Sequence, residues 1–299
     1  MIILSYDDGR KTQLRRSERI QNHCNRHEGL RNDSISKFTL INSIVDDRHG
    51  LLFCLIPKVG CTNWKRVFMF LLGKQHGRQH HNVSKVEDIP FESVHFGNSR
   101  LPRLAHMSPK KQESVLKHYK KVMFVREPCA RLVSAYRDKF ENASRYRSAG
   151  ANWRNLGDHI IDHYRGDSSP DDIDTSSGDD SVITFAEFAA YVVDAKRQND
   201  VNEAHWVEMH KMCSPCQIQY DYIGTLETVA ADAKFILTSI GLGDIVSYPN
   251  ARSTGHFTGS AKRVGNYITS LPFYLIKQLQ KVYALDFELF GYPDLYSQG

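Results

Sequence analysis

A tight loop between two apolar segments constrains the fold of this chain more than any other feature. The loop spans residues 57–65, after the apolar segment 51–56 and before the apolar segment 67–72. That order predicts a buried strand, a turn and a helix. A loop that enters a helix presents unpaired backbone N–H groups and the positive end of the helix dipole, so it can bind an anion. Because Lys58 lies at its mouth and Thr62 adds a hydroxyl, this loop is suited to a phosphate or a sulfate.

The order of residues in the loop excludes a Walker A motif. That motif has two glycines and ends in Lys-Ser or Lys-Thr, whereas here the lysine comes first and Gly60 is the loop's only glycine. The pattern Pro-Lys-x-Gly-x-Thr-x-x-Lys resembles the 5′-phosphosulfate loop of sulfotransferases, enzymes that use 3′-phosphoadenosine 5′-phosphosulfate (PAPS). An ordinary strand, turn and helix with a surface lysine is the alternative interpretation.

A second strand–helix pair follows further along the chain. Residues 121–125 suit a buried strand, and Pro128 suits the first turn of the helix after it. Arg126 comes at the carboxyl end of this strand, where open α/β sheets bind their ligands. The pattern strand-Arg-x-Pro-x-x-Arg-x-x-Ser resembles the 3′-phosphate motif of sulfotransferases, with Arg126, Arg131 and Ser134 at its polar positions. Two solvated arginines at a helix end are the alternative, which the order of the two phosphate motifs disfavours.

Four further segments narrow the resemblance to the Golgi carbohydrate sulfotransferases. They are His205-Trp206, residues 213–216, residues 220–228 and residues 283–292. The branch that they resemble sulfates chondroitin, dermatan and terminal N-acetylgalactosamine (GalNAc) or glucuronate, and the likeness covers about residues 51–292. This chain departs from the family pattern at Gly60, where alanine is usual, and at Cys129, where an aromatic residue is common. It also lacks the usual proline after His205-Trp206.

The alternation of strands and helices predicts an α/β fold. The resemblance implies a P-loop-like parallel sheet flanked by helices, as in PAPS-dependent sulfotransferases. We expect residues 1–45 to form a stem or a loosely packed peripheral segment, and residues 46–299 to form one catalytic domain with an acidic low-complexity insert at 166–181. The expected helices are 109–119 after the N-cap Ser108, 128–142, 185–195 after the N-cap Thr184, 226–240 before Gly241 and 271–287 after the N-cap Ser270, and the expected strands are 51–56, 121–125 and 219–223.

Sulfuryl transfer needs a cation for the leaving phosphate, groups that hold the nucleotide and a base for the acceptor hydroxyl. Lys58 is the predicted catalytic cation. The predicted cofactor-binding residues are Lys58, Val59, Gly60, Cys61, Thr62, Asn63, Trp64 and Lys65 of the loop, together with Arg126, Ser134 and Arg263. Arg66 lies near enough in sequence to add charge. Arg263 ends a polar, glycine-rich segment, residues 252–263, which we expect to be a flexible loop.

Histidine is the natural base near neutral pH, and the chain has 14 of them. His95 ranks first because it lies between the two phosphate motifs, where related sulfotransferases often have a base. His205 is also a predicted catalytic residue, although its neighbour Trp206 favours a structural role equally. His106 and a glutamate base remain alternatives.

Positive charge is concentrated around the two phosphate motifs. Residues 57–139 hold 17 Lys/Arg and six Asp/Glu, whereas the whole chain has a net charge of only +5. Such a field suits a polyanionic partner. We expect an acidic glycan acceptor rather than nucleic acid, because the sequence has no zinc-finger, RNP or basic-zipper pattern.

Six cysteines are compatible with an oxidising compartment. The expected states are a disulfide between Cys213 and Cys216, a second disulfide between Cys24 and Cys54, and free thiols at Cys61 and Cys129. A zinc site at the CxxC motif is the alternative, but the sequence has no second CxxC and we expect no metal. The resemblance implies a type II membrane protein of the Golgi lumen whose N-terminal anchor is not present in this sequence, since no stretch reaches 18 apolar residues.

The sequence therefore predicts a PAPS-dependent carbohydrate O-sulfotransferase. The favoured acceptor is O-4 of GalNAc in a chondroitin- or dermatan-type glycosaminoglycan. A transferase that acts on glucuronate or on terminal GalNAc of N-glycans is one alternative, and a glycan-binding pseudoenzyme without a base is another. A P-loop kinase is disfavoured because the Walker A pattern is absent.

Overall fold

In the computed structural model, the described residues are 6–32, 34–76, 83–95, 101–142, 146, 150–165, 183–198, 203–249 and 261–294. Internal contacts divide the chain into two compact units. Unit 1 comprises Met1–Arg126, Met209–Phe257 and Glu288–Gly291, and unit 2 comprises Glu127–Glu208, Thr258–Phe287 and Tyr292–Gly299. The predicted boundary between residues 45 and 46 stays a prediction, and the acidic segment 166–181 lies outside the described residues.

The elements are numbered in chain order. The helices are α1 Tyr6–Arg26, α2 Glu28–Asn32, α3 Lys37–Asn42, α4 Cys61–His76, α5 Phe91–His95, α6 Pro109–His118, α7 Pro128–Lys139, α8 Ala151–Tyr164, α9 Phe185–Arg197, α10 Met209–Cys213, α11 Val229–Ser239, α12 Ala261–Thr269, α13 Phe273–Val282 and α14 Ala284–Phe290. The strands are β1 Ser43–Asp46, β2 Leu51–Cys54, β3 Lys120–Val125 and β4 Tyr222–Thr225. Short 3₁₀ turns cover Val86–Asp88 and Leu104–His106.

The sheet of unit 1 has the order β1-β2-β3-β4. Strands β2, β3 and β4 run parallel, with Cys54 opposite Met123 and Met123 opposite Ile223, while β1 pairs with β2 antiparallel. The expected α/β fold with a largely parallel sheet is confirmed. The predicted strand at 219–223 instead begins at Tyr222, and the edge strand β1 was not predicted, because its four residues carry too short a pattern to be recognised.

Burial explains why β2 and β3 stand out in the sequence. All four residues of β2 and the last four of β3 are buried, so both strands appear as continuous apolar runs. Helix α4 covers the sheet through Trp64, whose ring centre lies 4.6 Å from that of Phe53 and 4.7 Å from that of Phe124. The loop before α4 is thus fixed between a buried strand and a buried helix face.

The N-terminal helix α1 is an integral part of unit 1. Its residues Gln13, Ile20 and Cys24 are buried. The side-chain oxygen of Gln13 accepts a hydrogen bond from the backbone N–H of Ile223 at 2.8 Å, and Arg16 pairs with the buried Asp232 at 3.0 Å. Helix α1 is therefore firmly packed in unit 1, whereas we expected a loosely packed segment.

Unit 2 is built around an aromatic core. Phe140, Phe188 and Trp206 are almost fully buried and contact one another, with ring centres 5.2–6.4 Å apart. The predicted capping box is confirmed, since the Thr184 hydroxyl accepts from the N–H of Glu187 and the Glu187 carboxylate accepts from that of Thr184. The start of α7 at Pro128 is also as predicted.

The buried Arg131 of α7 organises the turn that precedes Trp206. Only 2% of this residue is exposed. Its guanidinium donates hydrogen bonds to the carbonyl oxygens of Val207 at 2.6 Å and Ala204 at 2.7 Å. The Tyr283 hydroxyl donates to the neighbouring carbonyl of Trp206 at 2.7 Å. The Arg131 side chain therefore stabilises the packing of unit 2 and is not a solvated charge at a helix end.

The prediction of a helix capped by Ser270 is wrong. The Ser270 hydroxyl donates to the carbonyl oxygen of Tyr267, so it bonds with the last turn of α12. Helix α13 begins after Pro272, and the helical run is interrupted between Val282 and Ala284. The helix stop at Gly241 is confirmed, because this glycine adopts a positive φ of 76° after α11.

Both predicted disulfide pairings are wrong. The structure joins Cys24 to Cys216 and Cys54 to Cys213, with Cα atoms 5.4 Å and 5.9 Å apart. Cys213 ends α10 beside strand β2, whereas Cys216 lies in the following turn beside α1, so the CxxC cysteines meet different partners. The free thiols of Cys61 and Cys129 are confirmed.

The two disulfides also decide the zinc hypothesis. A disulfide removes the thiolates that zinc would need, so the CxxC motif is not half of a zinc site. Across the described residues, no three His, Cys, Asp or Glu side chains are grouped as metal ligands. None of the helices in this part of the chain is both long and apolar enough to cross a bilayer.

We predict that the disulfides dominate the stability of unit 1. They close separations of 192 and 159 residues, and closing long loops restricts the unfolded chain most. Replacing Cys54 and Cys213 together with alanine should lower the free energy of unfolding by about 2–5 kcal/mol in urea titrations. Cys61→Ala, which removes a half-buried free thiol, is the control and should cost less than about 1 kcal/mol. Peptide mapping without reductant should recover both cross-links, and a Cys213–Cys216 peptide would contradict the pairing.

We also predict that Arg131 is essential to unit 2. Arg131→Met leaves two buried carbonyl groups without their donor, so unfolding followed by tryptophan fluorescence should show a loss of about 3–5 kcal/mol. Arg137→Met is the matched control on the same helix, because Arg137 makes only a partly exposed ion pair with Glu141. That control should cost about 1 kcal/mol or less. Equal losses in the two variants would contradict the role assigned to Arg131.

Candidate active site

The loop between β2 and α4 has an unusual backbone. Lys58 and Gly60 both adopt positive φ values, 69° and 70°. A lysine in this region is uncommon and costs free energy that the surroundings must supply. One support is Val59, whose side chain is buried and whose N–H donates to the carbonyl oxygen of Ile56 at 3.3 Å. The backbone of the loop is thus anchored while Lys58 itself stays half-buried at its mouth.

Arg126 contacts this loop from the neighbouring strand. It follows β3, and because β2 and β3 are parallel their carboxyl ends meet at one edge of the sheet. Its guanidinium donates a hydrogen bond to the carbonyl oxygen of Lys58 at 3.0 Å, and only 4% of the residue is exposed. The structure therefore places the Arg126 guanidinium of one sequence motif against the backbone of Lys58 in the other.

His95 also lies against the loop. Its Nε2 is 3.0 Å from the Oγ1 of Thr62, in the first turn of α4. The imidazole is exposed at the end of α5 and packs on the ring of Phe91, with ring centres 4.3 Å apart. His106, the alternative base of unit 1, is exposed in the 3₁₀ turn after Arg103.

The segment that carries His95 is tied to α4 by Arg66. Its Nε donates to the carbonyl oxygen of Ile89 at 2.9 Å, and its Nη1 donates to the side-chain oxygen of Asn63 at 3.0 Å. Burial lowers the pKa of Arg66, against the opposing charges of Glu87 and Glu92. The Arg66 guanidinium is engaged in these structural bonds, and its contribution of charge for a phosphate stays a prediction.

The other predicted loop residues divide by burial. The side chains of Val59 and Trp64 are both 2% exposed and belong to the core, so only their backbone groups can serve a ligand. Cys61 and Lys65 are half-buried. The pKa of the nearby Arg103 is lowered by burial, against the opposing effect of the Cys61 thiol.

Sequence reasoning missed Tyr248, which lies against the loop from the segment after α11. A Cβ atom added to Gly60 would lie 2.4 Å from the Tyr248 hydroxyl oxygen. The Tyr248 ring packs on Trp64, with ring centres 5.0 Å apart. The available signal was Gly60 itself, since a glycine permits a close approach that a larger residue would block.

Three predicted site residues belong to unit 2. Ser134 is half-buried on α7. Arg263 is exposed on α12, so the end of the predicted flexible loop is helical, while residues 252–260 lie outside the described residues. His205 occupies the turn whose carbonyl groups are bound by Arg131, and its ring contacts the edge of Trp153 at 5.3 Å.

His205 is paired with a carboxylate. Its Nδ1 lies 2.5 Å from Oε1 of Glu203, which also accepts the backbone N–H of His205 at 3.1 Å. Burial raises the pKa of Glu203, but the hydrogen bonds and charge of His205, with the charge of Lys139, outweigh it and lower the pKa. This arrangement fixes the orientation of the His205 ring.

Comparisons with known proteins agree with these features. The model described as "Sulfotransferase family" matches residues 42–293. Carbohydrate sulfotransferase 14 of Danio rerio is 38% identical over 257 residues, which are 86% of this chain and 64% of that protein. Carbohydrate sulfotransferase 12 of Xenopus laevis is 35% identical over 272 residues, or 87% of this chain and 62% of that protein.

A longer alignment is found with carbohydrate sulfotransferase 10 of Rattus norvegicus, which is 35% identical over 307 residues, covering 98% of this chain and 80% of that protein. No solved structure matches the chain. The chain spans less than two thirds of the length of the Danio rerio and Xenopus laevis relatives. The matches confirm the resemblance noted in the sequence, and the chain belongs to the sulfotransferase family, among the carbohydrate sulfotransferases.

Proposed function

We propose that this chain is a PAPS-dependent carbohydrate O-sulfotransferase, and that its acceptor is O-4 of GalNAc in a chondroitin- or dermatan-type glycosaminoglycan. The observation that carries the proposal is the loop at Lys58. This lysine has a positive φ, and its carbonyl oxygen accepts a hydrogen bond from Arg126. His95 contacts Thr62, which lies four residues after Lys58. A cation, an anchored anion loop and a histidine are thus adjacent within unit 1. Family membership supports the same reaction.

The loop fits the phosphosulfate end of PAPS. It leads into the 16-residue helix α4, whose first turn supplies N–H groups and the positive end of a dipole. We propose that residues 58–65 hold the 5′-phosphosulfate and that Arg126 serves the 3′-phosphate. The hydrogen bond from Arg126 to the Lys58 carbonyl then connects the residue proposed to bind the 3′-phosphate with the loop proposed to bind the 5′-phosphosulfate. The roles of Ser134 and Arg263 stay predictions from the resemblance.

The chemistry follows from the groups at the loop. When bound, PAPS supplies a sulfuryl group joined to a phosphate that can leave. The Lys58 ammonium stabilises the negative charge that develops on this phosphate. His95 accepts the proton of the sugar hydroxyl while the hydroxyl oxygen forms a bond to sulfur. At the same time the bond between sulfur and the phosphate oxygen breaks. The Thr62 hydroxyl, 3.0 Å from Nε2, orients the imidazole.

His205 is the second proposed base. In its favour, Glu203 orients the His205 ring and would stabilise the imidazolium form. His95 is preferred because its Nε2 lies 3.0 Å from the Thr62 hydroxyl of the donor loop. A glycan-binding pseudoenzyme is the alternative if neither histidine proves necessary. The presence of Lys58, Arg126 and a neighbouring histidine weighs against that alternative.

An acidic glycan in the Golgi lumen is the proposed setting. The excess of basic residues around the phosphate motifs would attract a sulfated or carboxylated chain. The two disulfides are compatible with a secretory compartment. The identity of the acceptor sugar and of its hydroxyl is the most specific part of the proposal, and it rests on the sequence resemblance.

Lys58→Ala should abolish most of the transfer from PAPS. Removing one group that stabilises transition-state charge costs on the order of 100- to 1000-fold in kcat. Binding of adenosine 3′,5′-bisphosphate, measured by calorimetry, should weaken far less. Lys85→Ala, which removes an exposed lysine of unit 1, is the control and should leave kcat within about twofold. A Lys58→Ala enzyme with ordinary kcat would contradict the role of this lysine.

His95→Ala should lower kcat by on the order of 100-fold or more, because the sugar hydroxyl loses its base. His118→Ala, an exposed histidine on α6, serves as the control and should retain activity. His205→Ala tests the second base. If His205→Ala is inactive and His95→Ala is not, the base has been assigned to the wrong histidine.

The acceptor is tested with sulfate transfer from labelled PAPS to desulfated glycans. The panel contains chondroitin, dermatan, heparosan and GalNAc-terminated oligosaccharides. We expect transfer to chondroitin or dermatan, with the label at O-4 of GalNAc after disaccharide analysis. Transfer only to glucuronate or to terminal GalNAc would replace the proposed acceptor. Binding of adenosine 3′,5′-bisphosphate without transfer to any glycan would favour the pseudoenzyme.

A further inference from the structure

Tyr248 touches the donor loop through both its ring and its hydroxyl. The ring packs on Trp64 at an angle of 52°. Burial has the largest effect on the hydroxyl and raises the pKa of Tyr248 to about 12, while the side chain of Asn63 is near enough to lower that pKa by a smaller amount. The residue lies after α11, which is far from the loop in sequence.

Gly60 and the Tyr248 hydroxyl are sterically matched. A Cβ at residue 60 would lie 2.4 Å from the hydroxyl oxygen, a separation that real Cβ atoms do not show, but 3.7 Å from the ring carbon Cζ. The next nearest atom, Cδ1 of Leu226, would be 3.3 Å away. The hydroxyl, rather than the ring, therefore occupies the space that a side chain at residue 60 would need.

This contact completes the support of the loop. Arg126 holds the carbonyl group of Lys58 at one end. Tyr248 contacts Gly60 and Asn63 at the other, where the loop becomes helix α4. The two supports thus contact Lys58 and Gly60, the loop residues with positive φ. Such a backbone persists only when its surroundings determine it.

We propose that Tyr248 is a positioning residue of the donor loop: its hydroxyl, seated against Gly60, and its ring, packed on Trp64, fix the loop conformation that binds the 5′-phosphosulfate end of PAPS. The inference rests on the proposed function, since it assigns the donor to this loop. It adds a residue from a distant part of the chain to donor recognition. It also explains why glycine rather than alanine stands at residue 60 of this chain.

The test is a double-mutant cycle on the full chain with Gly60→Ala, Tyr248→Phe and the double variant. Tyr119→Phe is the matched control, because it also removes a tyrosine hydroxyl, here one bonded to Asp47, at the amino end of β3. Calorimetry measures the affinity for adenosine 3′,5′-bisphosphate. Steady-state kinetics separates the KM for PAPS from the KM for the glycan, and thermal unfolding reports stability.

Tyr248→Phe should weaken nucleotide binding by about three- to tenfold, the usual effect of removing one polar contact, because the hydroxyl no longer fills the space beside Gly60. Gly60→Ala should weaken it more, by at least about tenfold, since it introduces the steric conflict and a strained φ. In the Gly60→Ala background the effect of Tyr248→Phe should reverse and recover part of the affinity, because the nearest Tyr248 atom is then the ring carbon at 3.7 Å while the strain of the positive φ remains. The KM for PAPS should follow these changes, while the KM for the glycan stays near the wild-type value. The Tyr119→Phe variant should keep wild-type values of nucleotide affinity and of both KM values.

Independent, additive effects of the two substitutions would overturn the inference. So would rescue of thermal stability alone, with nucleotide affinity unchanged throughout the cycle, because Tyr248 would then be merely structural. A wild-type chain that binds no adenosine 3′,5′-bisphosphate would instead overturn the proposed function, and the inference with it.

Discussion

The hydrogen bond from the Arg126 guanidinium to the Lys58 carbonyl joins the two strand ends on which the candidate site depends. It forms because β2 and β3 are adjacent and parallel, which sets the residue after one strand beside the loop after the other. Arg126 is buried, so the bond lies in a low-dielectric environment where a charged donor is strong. The positive φ of Lys58 is tolerated because its carbonyl is held in this way.

The sheet end is supported by contacts distant in sequence. Cys54, the last residue of β2, is joined to Cys213, and helix α1 is joined to the same region through Cys24 and Cys216. Arg66 connects α4 to the segment that carries His95. Each contact restricts the position of a group near the loop, so that the site is organised before any ligand binds.

Gly60 and Tyr248 illustrate how one position depends on another. Residue 60 is glycine, and the space that a Cβ atom would fill there holds a tyrosine hydroxyl. Glycine also removes the steric penalty of a φ of 70°. The loop is therefore shaped by a partner nearly 190 residues further along the chain, which local sequence patterns do not reveal.

The sequence by itself determined the elements whose signals are local. The strands at 51–56 and 121–125, the capping box at Thr184 and the helix stop at Gly241 follow from apolar runs and from backbone hydrogen bonding within a few residues. The two phosphate motifs were also recognisable, because their residue order is contiguous. Family membership, which the comparisons confirm, follows from the same contiguous order.

Only the tertiary structure decided how distant residues pair. Cysteine spacing suggested a bond within the CxxC motif, but the fold directs Cys213 to β2 and Cys216 to α1. Arg66 directly follows the loop in sequence, but only the packing shows that its guanidinium donates to the carbonyl of Ile89 and the side chain of Asn63. The place of Tyr248 over Gly60 has the same origin. Such pairings depend on which surfaces the packed core brings into contact, and no local propensity or residue spacing encodes them.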